Sequence, residues 1–181
     1  TKGYAFDITA GKSGVNKYFN VWQVHAKALG AWPVSDNSFI TSNFYAGIKF
    51  PFRQPYFNQR MLGYGDVFMQ GFEYFVIDGA AGTFLKTALN RRLFDFNIKT
   101  PTRKKSTVVS HIPFGIFGKV FTNAGYVYNP EPGENSLSNT FLWSGGIGLD
   151  IVTWYDITVK LEWSFNCLGQ NGLFLHRKTI F

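Results

Sequence analysis

The chain has a single cysteine, Cys167. That excludes an internal disulfide and any cysteine-built metal cluster, and Cys167 reads as a loop thiol with no role. No apolar run approaches the roughly 18 residues of a membrane-spanning helix, so the chain does not cross a bilayer in helical form. Acidic residues are scarce, 11 against 18 Lys and Arg, which gives a net charge of +7. The basic residues are dispersed through alternating segments, apart from Arg103, Lys104 and Lys105, so nucleic-acid binding is set aside. The opening "TKGYAFDITAG" lacks the charged start and apolar stretch of a signal peptide and has no initiator Met. The expectation is a mature chain or a piece of one.

Aromatic residues, by contrast, are abundant. They make up 19% of the 181 residues, with 20 Phe, at a mean hydropathy of −0.06. A water-soluble domain of one-domain size rarely needs so many rings. A transmembrane β-barrel does, because its strands alternate lipid-facing and lumen-facing residues and so keep the mean hydropathy near zero.

The alternation is explicit. In "DITVKLEWSFN", Ile157, Val159, Leu161, Trp163 and Phe165 share one face, and Thr158, Lys160, Glu162, Ser164 and Asn166 share the other. "SGGIGLDIVTW" precedes it, and "TWYD" joins the two as a hairpin. "NVWQVHAKAL" and "FITSNFYAGIKF" repeat the pattern. A soluble sandwich would alternate in the same way. Strands of about ten residues, longer than the five or six usual in soluble sheets, favour the barrel. So do short turns such as "PFRQP" alternating with variable polar ones such as "GAWPVSDNS" and "YNPEPGENSLSNT", and Trp32, Trp143 and Trp154 near strand ends.

The pattern predicts about nine strands: 3–11, 18–30, 38–50, 56–68, 82–94, 113–128, 140–153, 156–166 and 172–181. Single-chain bacterial barrels have even strand numbers and must close. Either one of the nine is misassigned, or the chain is part of a larger barrel completed elsewhere.

Between two of these segments lies "MQGFEYFVIDGAAGTF", Met69–Phe84, too long for a hairpin turn and crowded with rings. The motif Met69, Gln70, Gly71, Phe72, Glu73 resembles the Val/Ile-Arg-Gly-Phe/Tyr loop of the BamA/TamA superfamily of outer-membrane assembly proteins. "KVFTNAGYVY" and "SGGIGLDIVTWYDITVKLEWSF" resemble later strands of that family, and Phe181 resembles its aromatic carboxyl-terminal signal. Five expected strands follow the loop, as in the family, so the resemblance covers essentially the whole chain. It aligns residues 1–181 with the carboxyl-terminal part of a sixteen-stranded antiparallel barrel, in a version like those of Bacteroidota.

The resemblance implies that residues 69–82 fold into the lumen and bury Phe72, Tyr74, Phe75 and Val76 against the wall. Gly71 would then permit close backbone approach, and Gly79 and Gly82 the sharp return into the next strand. The family's loop Arg pairs with a Glu and an Asp on the following strands. The matching positions here are Gln70, Asn90 and Asn123, so all three charges are replaced together. Neutral amides avoid the cost of a half-dismantled buried ion cluster. The expectation is a loop docked through amide contacts, with Gln70 within about 4 Å of Asn90 or Asn123.

Other constellations are weak. His25, His111 and His176 fall on different strands with no carboxylate at ligand spacing, so no metal or other cofactor is expected. Ser110 beside His111 points to the opposite face and is no hydrolase pair, so the chain reads as a non-enzyme. Lys86, Arg92, Lys119, Lys160, Glu162 and His176 share the polar parity of their strands and read as a charged lumen wall, or as a selective pore.

The resemblance implies protein insertion or translocation in a Gram-negative outer membrane, where an edge strand templates an incoming strand. The family's seam lies between its first and last strands. Here the last strand, "GLFLHRKTIF", has no interior Gly to kink it, and Arg177 falls on the lipid-facing parity set by Phe181. The implied partners are outer-membrane lipids, client outer-membrane proteins and periplasmic or lipoprotein subunits, with the barrel completed by the rest of the chain or another protomer. The competing readings are a structural or accessory barrel with a plugging loop, and a passive pore.

Overall fold

The computed structural model describes residues 2–14, 20–65, 67–99, 111–153 and 157–178. Arg103, Lys104, Lys105, Ser110, Trp154 and Phe181, all singled out in the sequence, lie outside the described residues, as does the side chain of His111.

The chain is all-β. Its strands are β1 (Gly3–Ser13), β2 (Val21–Ser35), β3 (Ser38–Phe50), β4 (Arg60–Leu62), β5 (Ile77–Asp78), β6 (Ala81–Lys99), β7 (His111–Tyr128), β8 (Phe141–Val152), β9 (Thr158–Asn166) and β10 (Asn171–Lys178). Eight of them form one sheet in the order β1-β2-β3-β6-β7-β8-β9-β10, and β4 and β5 form a separate ribbon. All eight pair antiparallel with their sequence neighbours in that sheet. Among the described residues β1 pairs only with β2 and β10 only with β9, so the sheet keeps two unpaired edges.

The strand expected at 56–68 does not exist. A 3-10 turn at Tyr56–Asn58, the three-residue β4, and Gly63 and Gly65 at φ +87° and +58° break it up. Two left-handed glycines cannot continue an extended ladder. The misassigned segment is therefore part of a connection running from 51 to 80. Ala81 and Gly82, expected at the end of the loop, already open β6.

Register carries one parity across the whole sheet. Ile8 pairs with Ala26, Ala26 with Ala46, Ala46 with Thr83, Thr83 with Tyr126 and Tyr126 with Phe141. This face is bare and apolar: Phe6, Val24, Phe44, Leu85, Leu89, Val120, Ile147, Leu161, Leu173 and Leu175 are all exposed on it. Large rings gather toward its two margins. Trp22, Phe50, Tyr126, Tyr128, Phe141 and Trp143 lie toward the end bordering the 51–80 connection, and Tyr4, Trp32, Phe94 and Phe96 toward the other.

The opposite face is covered by the 51–80 connection from β3 to β10, whereas β1 is exposed on both faces. The sheet curls around it, as Phe68 demonstrates. Lys86 of β6 places its ammonium 4.3 Å from the Phe68 ring, and His176 of β10 sits 5.3 Å from the same ring. In a flat sheet those strands would be about 19 Å apart, four strand spacings. Core residues Met61, Leu62, Met69, Phe72 and Ile77 come from the connection, and Tyr45, Phe84, Val127 and Leu142 from the sheet. Five such side chains contribute on the order of 10 kcal/mol through burial.

The β6–β7 hairpin outruns its neighbours. β3 pairs no further than Arg91 and β8 no further than Gly115, but the ladder continues through Phe96↔Phe114, Asn97↔Pro113, Ile98↔Ile112 and Lys99↔His111.

Because the core is shared between sheet and connection, Phe72→Ala is expected to destabilise the fold by about 3–5 kcal/mol. Denaturant unfolding followed by Trp fluorescence measures this, and a loss below about 1 kcal/mol contradicts the shared core.

Candidate functional site

The site is the contact between the connection and the polar parity of β7–β10. The turn at Met69–Phe72 is closed by Phe72 N–H donating to Met69 O at 3.0 Å. Gly71 within it has φ +88°, where a side chain is strained. A Cβ there would also lie 2.9 Å from the Ser144 Cβ and 3.2 Å from Phe165 O, so the loop backbone lies directly on β8 and β9. Gly79 and Gly82 serve differently from the return turn expected of them. Neither has positive φ, and a Cβ would strike Val127 at Gly79 and Met61 at Gly82.

Short polar side chains on the sheet receive the loop's main chain. The Ser144 hydroxyl and, at 3.4 Å, the Asn123 amide donate to the Gln70 carbonyl, and Asn166 donates to Gly71 O at 2.7 Å. Asn123 also donates to Ser144 Oγ at 3.0 Å. At the other end of the connection, buried Lys49 donates to the carbonyls of Asn58 and Arg60. Above it the β7–β8 turn closes down: Ser138 Oγ donates to Asp78 O at 2.8 Å and Asn135 to Val76 O at 3.3 Å.

The expected amide contacts are corrected in part. Asn123 meets Gln70 only at its main-chain carbonyl, and Asn90 donates to Thr41 Oγ1 and Ala88 O, away from the loop. Register explains the difference. Asn90 pairs with Lys119, four residues along β7 from Asn123, or about 13 Å. One short side chain cannot reach both. The Gln70 amide instead points to Glu162 Oε1 at 3.4 Å. Phe72 is buried as expected and Phe75 packs on the core, but Tyr74 and Val76 are exposed.

Charge is not lost from this site. It stands on other strands. Lys119 is buried between Asp150 Oδ1, at 2.6 Å, and Glu162 Oε1, which it contacts directly. Lys160 lies 3.8 Å from Asp150 Oδ2. His176 Nε2 lies 3.5 Å from Glu73 Oε1 and 3.6 Å from Glu162 Oε2. The remaining Glu73 oxygen accepts the Gly71 N–H at 2.8 Å. Burial pushes the Glu73 carboxyl above its usual range, against the opposing pull of its backbone hydrogen bonds and of His176. Polar parity placed Lys119, Lys160, Glu162 and His176 on one wall. It carried no sign that Glu73, about ninety residues upstream of Glu162, closes the group.

Tyr64 holds the connection to itself, donating to Asp78 Oδ1 at 2.7 Å. Its phenol is pushed up to about 12, first by burial and then by the Asp78 carboxylate. Comparison with family models, with curated proteins and with solved structures finds no match to this chain.

Lys119→Met leaves Glu162 buried without its cation and is expected to cost about 3–5 kcal/mol. Adding Glu162→Gln should recover much of it, and a double-mutant cycle in denaturant reads the coupling. For Tyr64, a raised folded-state phenol contributes stability that is complete below the unfolded value of about 10 and is lost as pH rises through about 12. The stability advantage over Tyr64→Phe should therefore vanish across that window, and phenolate absorbance should show one Tyr titrating near the upper end.

Proposed function

We propose that this chain forms the carboxyl-terminal wall of a BamA/TamA-like β-barrel in a bacterial outer membrane, and that the barrel assembles or inserts other membrane proteins. The observation that carries this reading is the pairing of a bare apolar face and a plugged polar face on a sheet with two unpaired edges. Trp22 and Trp32 mark the margins of the bare face on β2, ten residues or about 33 Å apart along the strand. Tilted by about 40°, that length spans roughly the 25 Å apolar band of an outer-membrane barrel, with rings at both interfaces. In water the same face would be an apolar patch far beyond what a monomer carries. Among the described residues no helix is long and apolar enough to cross a membrane, and strands need none.

The function follows from the edges. β1 and β10 each present unpaired backbone groups, which lipid cannot satisfy. Further strands, from the rest of the polypeptide or from another protomer, complete the wall. A seam at such an edge can template an incoming strand by β-augmentation without nucleotide or cofactor. Clients are then unfolded outer-membrane proteins, and the loop of residues 69–82 lies in the lumen.

A second reading, an accessory barrel with a fixed plug, is favoured by one observation. The loop main chain is held by Ser144, Asn123 and Asn166 together, beside a buried ion cluster. The full-length protein in lipid vesicles separates the two. An insertase accelerates folding of an added unfolded barrel, read by heat-modifiable gel mobility, by at least about tenfold, some 1.4 kcal/mol of barrier. A rate equal to that in protein-free vesicles rejects insertion and leaves the accessory role. A steady ion conductance rejects the plugged lumen that both readings share.

A further inference from the structure

We infer that Glu73, Glu162 and His176 form a binding site for a divalent transition-metal ion of the zinc class, clamping the loop to the last two strands. The three side chains come from three elements: the loop, β9 and β10. Glu73 Oε1, Glu162 Oε2 and His176 Nε2 lie within 4.8 Å of one another, and the two distances from the imidazole nitrogen are 3.5 and 3.6 Å. Among the described residues none of the three atoms has a hydrogen-bond partner. The Glu162 side chain is 1% exposed and that of Glu73 9%. A carboxylate oxygen left bare at such depth costs several kcal/mol unless something binds it.

The other oxygen of each carboxylate is already engaged. Glu73 Oε2 takes the Gly71 N–H, and Glu162 Oε1 takes Lys119 and the Gln70 amide. One unpartnered atom per residue thereby remains, and the three stand close enough together to share one ion. A protonated imidazole alone would draw its carboxylates to about 2.7–2.9 Å, well inside the observed separations. A tetrahedral ion with ligand bonds near 2.0–2.1 Å instead sets neighbouring ligand atoms roughly 3.3–3.5 Å apart. The imidazole argues against magnesium or calcium, which take oxygen ligands, and for zinc or a neighbour in its row. Three protein ligands leave the fourth position to water. The Phe68 and Phe174 rings, 5.3 and 6.2 Å from the imidazole, flank it and restrict solvent.

The site depends only on the docked loop, so it stands or falls separately from the insertase reading. The test uses the full-length protein, stripped with chelator and then given Zn2+ alone or Co2+ alone. Expected are one Zn2+ retained per chain by elemental analysis, four-coordinate Co2+ absorption bands, and slower proteolysis of the loop when metal is bound. Glu73→Gln and His176→Asn should each lower Zn2+ affinity by more than the roughly 10- to 100-fold typical of outer-shell changes. Both should keep wild-type circular dichroism, since neither strips a partner from Lys119. Absence of stoichiometric metal in the folded wild type, or equal binding by either variant, overturns the proposal and leaves a long imidazole–carboxylate cluster.

Discussion

The structure depends on one close approach, that of the Gln70–Gly71 backbone to β8 and β9. Only a residue without a Cβ can sit at Gly71, and only short side chains such as Ser144 and Asn166 can receive the carbonyls beside it. With the loop lying that near, Glu73 and Gln70 are carried over Glu162, and Met69 and Phe72 are pressed into the core. Lift the backbone by one side-chain layer and the sheet loses both the inner half of its apolar core and the groups that face its buried charges.

The charge of this site is carried by the wall and not by the loop turn. A buried cation needs its anions within a few ångströms, and it is indifferent to which strand supplies them. Gln70 brings no cation to the loop. Lys119, reaching across from β7 to Asp150 and Glu162, supplies one from the wall instead. The neutral loop amide then has only to accept what the wall already balances.

Much of the fold was legible in the sequence because its signal is local. Period-two alternation in Thr158–Asn166, or in Val21–Ala28, is readable residue by residue, and the observed strands lie within a few residues of the expected ones wherever that alternation is strict. It failed at 56–68, where Gly63 and Gly65 turn the chain left-handed. The site was less legible because its geometry is set by register. Nothing local says that Asn90 falls opposite Lys119, or that Glu73 will lie against His176. Lys119, Glu162 and His176 could be assigned to one face. Their convergence with Glu73 is a product of the sheet's curl, which no single strand encodes.

The overhanging β6–β7 hairpin has a mechanical meaning. Four rungs stand clear of both neighbours, an arm of about 13 Å that starts from the stacked rings of Phe96 and Phe114, 5.3 Å apart, and runs to Lys99↔His111. Among the described residues no strand flanks it beyond the sheet's margin, so a sideways load at the tip acts as torque on the first braced rungs, Asp95↔Gly115 and Phe94↔Ile116, which β8 supports on one side. The ladder continues from those rungs to Asn90↔Lys119, the pair that holds the central cation. The arm is thus a lever whose load enters the same strand that carries the buried charge on which the covered face is balanced.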